Sequence, residues 1–155
     1  MSSGRRKSLI AKTKKTQGLF DMLKSYKDFS EVKELKKTED LETVSFKLRN
    51  INLVLEKHTR DKLKLLRLIN SFNPKAMDID LDLNHLIQTA NKFNRGSIGI
   101  KCSISEFDNM RFIIFTAEEI AVDEGMLNIS CDSLHIISAI LAGAPVLFEK
   151  LGKEK

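Results

Sequence analysis

Apolar residues recur at helical spacing from Thr16 onward. Leu19, Met22, Tyr26 and Phe29 are spaced by three, four and three, and Val32 and Leu35 continue the line. Thr16 is placed to cap this first helix, and Ser30 could start a second segment after a kink. A longer pattern follows. Leu41, Val44, Leu48, Ile51, Leu55, His58, Lys62, Leu65, Ile69 and Phe72 alternate steps of three and four, with charged residues between them. This spacing predicts a heptad seam on a helix about 45 Å long at ~1.5 Å per residue. Leu63, Leu66 and Leu68 widen the stripe late, and Asn73-Pro74 ends it. Two helical stripes joined by a short acidic stretch predict an antiparallel hairpin, with Thr38 capping the second helix.

Beyond Pro74 the period changes. Met77, Ile79, Leu81 and Leu83 alternate with Asp78, Asp80, Asp82 and Asn84, which predicts a half-exposed strand. LNHLIQTANKFNRG reads as a short helix stopped near Gly96. SIGIKCSIS and MRFIIFTA, separated by the turn signal FDN, predict a β-hairpin, and MLNISC a third strand. DSLHIISAILAG is almost wholly apolar and reads as a buried helix, capped by Asp132 or Ser133 and closed by Gly143 and Pro145. VLFEKLG fits helix or strand. The expected fold class is therefore α+β: a flexible basic tail over residues 1–15, a coiled-coil hairpin over 16–73, and a small mixed domain over 74–155 with three or four strands and two helices.

Charge sharpens one part of this picture. The net charge is +5, but Arg5, Arg6, Lys7, Lys12, Lys14 and Lys15 stand in a tail without acids, so the remainder is close to neutral. Such an arm attracts nucleic acid, lipid headgroups or acidic protein over a distance set by salt. Its bland alternative is a solubilising tail. Cys102 and Cys131 are the only cysteines and no CxxC occurs, so no disulfide framework is expected. With no leader-like or membrane-length apolar run, the expectation is a cytoplasmic, intracellular chain without a transmembrane segment.

The chemistry on offer is sparse. No phosphate-binding glycine loop, zinc-protease or hydrolase motif is present, so an independent enzyme is not expected. An EF-hand starting at Asp78 would need Gly at Leu83 and Glu at Thr89. Cys131 and His135, four apart, could share a helix face, but two ligands do not make a zinc site. No metal site of the chain's own and no cofactor is expected. That leaves the acids Glu39, Asp40 and Glu42 at the bend of the hairpin. Glu39 and Asp40 fit the first turn of a helix capped by Thr38, where the macrodipole favours negative charge. Alternatively, carboxylates at the end of a rigid pole could share a Mg²⁺ with a partner's site.

Asp40-Leu41, followed by about thirty residues of helical pattern, resembles the tip of the Gre transcript cleavage factors of bacterial RNA polymerase. The order GIKCSI, MRFIIFT and GMLNIS-CDSLHIISAILAG is similar to that family's C-terminal half. Thr43 stands where the family's D-L-x-E tip has its second acid, and Ser133-Leu134 where it has Ser-Pro. The resemblance implies a hairpin entering RNA polymerase, with Glu39, Asp40 and Glu42 near the partner's active centre and Mg²⁺ only as a shared ion. The other expectation is an accessory protein that self-associates through the seam Leu41, Val44, Leu48, Ile51, Leu55, Leu65 and Ile69, while its basic arm holds nucleic acid or an anionic membrane. Both are non-catalytic binding factors.

Overall fold

The structure is a computed structural model that describes residues 18–121 and 130–154. In chain order it has helix α1 (Leu19–Lys24), strands β1 (Phe29–Lys37), β2 (Leu41–Leu48), β3 (Ile51–Arg60) and β4 (Leu63–Phe72), a 3₁₀ turn at Pro74–Ala76, helix α2 (Leu83–Gly96), strands β5 (Ile100–Phe107) and β6 (Met110–Ala121), and helix α3 (Cys131–Lys153). The strands form one antiparallel sheet in the order β1-β2-β3-β4-β6-β5.

The predicted coiled-coil hairpin is therefore a four-stranded meander. The two periods overlap in this stretch, and the shorter one decides. Val44, Phe46 and Leu48 are buried along β2, Leu53 and Leu55 along β3, and Leu66, Leu68 and Asn70 along β4. Each set alternates with outward residues, as a pleated strand requires. The register sets Leu55 opposite both Val44 and Leu68, so these rows share one face. The proposed seam is divided by the sheet. Val44, Leu48, Ile51 and Leu55 turn inward, whereas Leu41, Leu65 and Ile69 lie on the opposite face.

Turns complete the correction. Leu48 pairs with Ile51 and Arg60 with Leu63, which leaves Arg49-Asn50 and Asp61-Lys62 as two-residue connections. Arg49 and Asp61 have φ of +56° and +53°. Two-residue hairpin turns favour such left-handed positions because they match the twist of the strands. A helix running through 41–72 would have to pass both.

The β5–β6 hairpin matches its sequence pattern. Asp108 and Asn109, in the FDN turn, both have positive φ, as a type I′ turn demands. The predicted helix over LNHLIQTANKFNRG is α2. The stretch from Met77 to Asp82 forms no strand; it is the irregular approach to α2. The strand predicted for MLNISC lies largely outside the described residues. Helix α3 is capped by Ser130, whose Oγ accepts from Ser133 N at 3.1 Å, and it runs through both Gly143 and Pro145.

All three helices contribute to one core beneath the inner face of the sheet. Phe115 of β6 stands at its centre, with the rings of Phe93 (α2) and Phe148 (α3) at 5.4 and 6.0 Å. Among the described residues the opposite face carries no helix, and it is a polar ladder at its middle. There Glu56, Arg67 and Glu118 lie side by side on β3, β4 and β6, and Arg67 Nε bonds Glu118 at 2.8 Å.

A candidate protein-docking face on helix α3

Helix α3 carries two apolar stripes, and the sheet covers one. Leu134, Ser138, Leu141, Pro145, Phe148 and Gly152 recur at steps of four and three and are buried. The sequence of α3, apolar all round, reads as a fully enclosed helix. Only half of it is enclosed. Ile136, Ile140, Val146 and Leu147 are 62, 56, 74 and 44% exposed, and Ala139 and Gly143 are exposed between them. These six form one uncharged stripe on the outer side, at the i, i+3, i+4 spacing of a helix face.

Pro145 determines how α3 lies on the sheet. An amide at position 145 would bond the carbonyl of Leu141 four residues earlier, but proline has no N–H and its ring crowds that carbonyl. The missing donor comes from β4, where buried Asn70 donates through Nδ2 to Leu141 O at 3.1 Å. A polar residue at an inward strand position thus satisfies a buried carbonyl that would otherwise lack its helical partner. Beside this contact, Ile51, Phe72, Met77, Pro145 and Val146 line a pocket of about 340 Å³. Through Val146 it continues the outer stripe.

The start of α3 is fastened to α1 and to the connection between α1 and β1 by a polar cluster. Tyr26 Oη donates to Asp132 Oδ1 at 3.2 Å and lies 3.1 Å from His135 Nδ1, which is 3.5 Å from Asp28 Oδ2. Cys131 Sγ donates to Met22 O at 3.4 Å. Burial, with the Asp132 hydrogen bond and charge, raises the Tyr26 pKa. Burial, followed by the Asp132 charge, raises that of Cys131. Both shifts keep the protonated form, the reverse of what an activated nucleophile needs. The cluster holds the helix end; it does not assemble an attacking group. Cys131 and His135 do share the inner side of the helix end, but they bond to different partners.

The acids singled out from sequence have other positions. Glu39 and Asp40 are exposed in the β1–β2 turn, closed by Thr38 N to Leu41 O at 2.8 Å. Glu42 reaches back to α1, where its Oε1 accepts from Leu19 N at 2.7 Å. That is a helix-N-terminus role, played for α1 and not for the helix expected after Thr38. The three acids do not stand at the end of a helical pole. Among the described residues no group of three or more His, Cys, Asp or Glu could hold a metal ion. Arg5, Arg6, Lys7, Lys12, Lys14 and Lys15 lie outside the described residues.

Neither edge of the sheet offers a clean strand for pairing. β1 is interrupted by irregularities between Ser30 and Lys33 and between Glu34 and Lys36, and charged side chains run along it. At the β5 edge, Asn94 of α2 takes the place of a neighbouring strand. Its Oδ1 accepts from Cys102 N at 2.7 Å and its Nδ2 donates to Cys102 O at 2.9 Å.

No protein-family model matches the chain, and no curated protein matches it. Among solved structures it is similar to YbjN, a proposed transcription regulator from E. coli, at 9% identity and a TM-score of 0.42, covering 76% of this chain and 78% of that one. At that overlap the two share too little superposable structure for the likeness to bear on function. By length and composition alone α3, with 23 residues and a mean hydropathy of 1.6 over its most apolar 18, could also cross a membrane. Here a third of its most apolar window is buried against the sheet and its neighbours.

Proposed function

We propose that this chain is a non-catalytic binding factor that docks a protein partner on the outer face of α3. The observation that carries this reading is the uncharged stripe from Ile136 to Leu147, exposed on a helix whose opposite stripe is fixed in the core. Contiguous exposed apolar surface is costly to leave in water and marks interaction sites. Completing the burial of Ile136, Ile140, Val146 and Leu147 is worth about 1–2 kcal/mol for each side chain, or about 4–8 kcal/mol together. That is comparable with the cost of immobilising one partner against another. The stripe thus about offsets that cost, and the adjoining pocket supplies the surplus that a reversible complex needs. In the same reading the six cations of residues 1–15 give a second, salt-sensitive hold on an anionic partner. RNA polymerase stays within this reading only as a surface contact, since strands replace the pole that insertion requires.

The test is one exposed substitution. Ile140→Lys places a charge in the stripe without entering the core, so the melting temperature should stay within a few degrees of the parent. Full-length bait carrying it should lose the protein that the unaltered bait retains. Recovery of the same partner at the same yield by both baits would show that docking occurs elsewhere.

A further inference from the structure

The outer stripe of α3 does not end in neutral residues. Asp132 precedes Ile136 by four positions and Lys150 follows Leu147 by three, and both are exposed. They are eighteen residues apart, about five full turns, so they project in nearly the same direction as the stripe. The face therefore reads acid, apolar, base along its length. Its middle is narrow: Ala139 is small, and a Cβ built on Gly143 would meet nothing within 4 Å. The larger residues Ile136 and Val146 stand to either side.

We propose that the occupant of this face is a second copy of the chain, packed antiparallel about a two-fold axis at the level of residue 141. This rests on the docking reading above and specifies its partner. Reversal about that level sets Asp132 against Lys150 of the second copy at both ends. It sets Ile136 against Val146, and Ala139 against Gly143 where the helices cross. Small residues at a crossing allow close approach, and bulky ones beside it fill the flanks. The same contact occurs twice, as a two-fold interface requires. A parallel arrangement would oppose like charges at each end. A lipid surface favours basic residues on the polar flanks of a buried stripe, and here one end is acidic. The basic group at the other end points outward, whereas the nearby Lys153 is engaged by Glu149 at 3.1 Å and Asp78 at 3.5 Å. Asp132 shares one oxygen with Tyr26 Oη at 3.2 Å, which fixes it at its end of the stripe.

A seam of this length, about 27 Å at ~1.5 Å per residue, is at the small end of stable interfaces. We therefore expect a dimer with a Kd on the order of micromolar. The test is sedimentation equilibrium of the full chain across that range, at low and high salt. Gly143→Leu separates this geometry from general stickiness. It adds apolar surface and improves helix propensity, yet it closes the crossing point, so dimerisation should weaken by about tenfold or more. Asp132→Lys and Lys150→Asp should each weaken the dimer, and the double exchange should recover most of the loss. Because the double variant also lacks the Tyr26 contact, recovery reports the charge pairing alone. Thermal unfolding at concentrations below the dimer range checks that each variant folds. A chain that stays monomeric at about a hundredfold above that Kd overturns the proposal. So does a dimer indifferent to Gly143→Leu, or association that Gly143→Leu strengthens. A monomer whose Ile140→Lys form still loses a protein partner removes only the second copy; loss of both results removes the docking face as well.

Discussion

Removing the Asn70 side chain should cost stability because of a proline in helix α3, far along the chain. Asn70→Ala takes the donor from Leu141 O, a carbonyl in a fully buried residue that Pro145 cannot serve. An unsatisfied buried polar group costs about 1–3 kcal/mol. The small void left by the amide adds to this, so we expect a loss of about 2–3 kcal/mol in total. For a chain of this size that lowers the melting temperature by about 4–10 °C. The decisive comparison is a double-mutant cycle with Pro145→Ala. Alanine restores an N–H at position 145, which can bond Leu141 O within the helix, so the amide of Asn70 loses its distinctive task. Asn70→Ala should then cost at least about 1 kcal/mol less than in the parent background. Urea unfolding followed by circular dichroism gives all four free energies. Equal costs of Asn70→Ala in the two backgrounds would refute the reasoning, and so would a cost below about 0.5 kcal/mol in the parent.

Three further outcomes follow from single side chains. Ser138 Oγ is fully buried without a hydrogen-bond partner, so Ser138→Ala should leave stability unchanged or raise it by up to about 1 kcal/mol in the same urea assay; a clear loss would show that the hydroxyl has a partner. Glu42→Ala should free the start of α1 and speed amide exchange over residues 19–24 selectively, because a six-residue helix has little stability of its own; unchanged exchange there would refute the cap. Burial pushes the Cys102 thiol from 9.0 up to about 12. The folded chain therefore holds that proton where the unfolded chain has released it, and stability falls as pH rises from about 9 toward 12. Cys102→Ala should make this decline shallower than in the parent, and parallel declines would contradict the shift.

Part of this fold was legible from the residues, and the reason for the rest is specific. The β5–β6 hairpin could be read because Ile100, Cys102 and Ile104 alternate cleanly and Asp108-Asn109 is a strong turn signal. The meander over 29–72 could not. Leucine dominates it and favours helices, and apolar residues fall on both faces of the central strands, so steps of three and four can be picked from a period of two. Arg49-Asn50 and Asp61-Lys62 were the missed signals. Each is a two-residue break containing Asn or Asp between strands of matched length. Helix α3 was recognisable, but its termination at Gly143 and Pro145 was not to be trusted. Gly143 is tolerated on an exposed face, and Pro145 is rescued by a strand residue far away in sequence. The docking stripe was hidden for the same reason, since an all-apolar helix gives no hint of which side the sheet will cover. The helix start expected after Thr38 is a strand turn, and the helix from whose N–H Glu42 accepts, α1, lies more than twenty residues earlier.

The most direct test of the docking face is site-specific photo-crosslinking in the native cell. A photoreactive residue at Val146, the most exposed of the large side chains in the stripe, should give a discrete protein adduct. The same residue at Ile98, which is fully exposed in the connection before β5, should give none. Absence of an adduct at Val146, or the same adducts from both positions, would contradict the assignment of α3's outer face as the working surface.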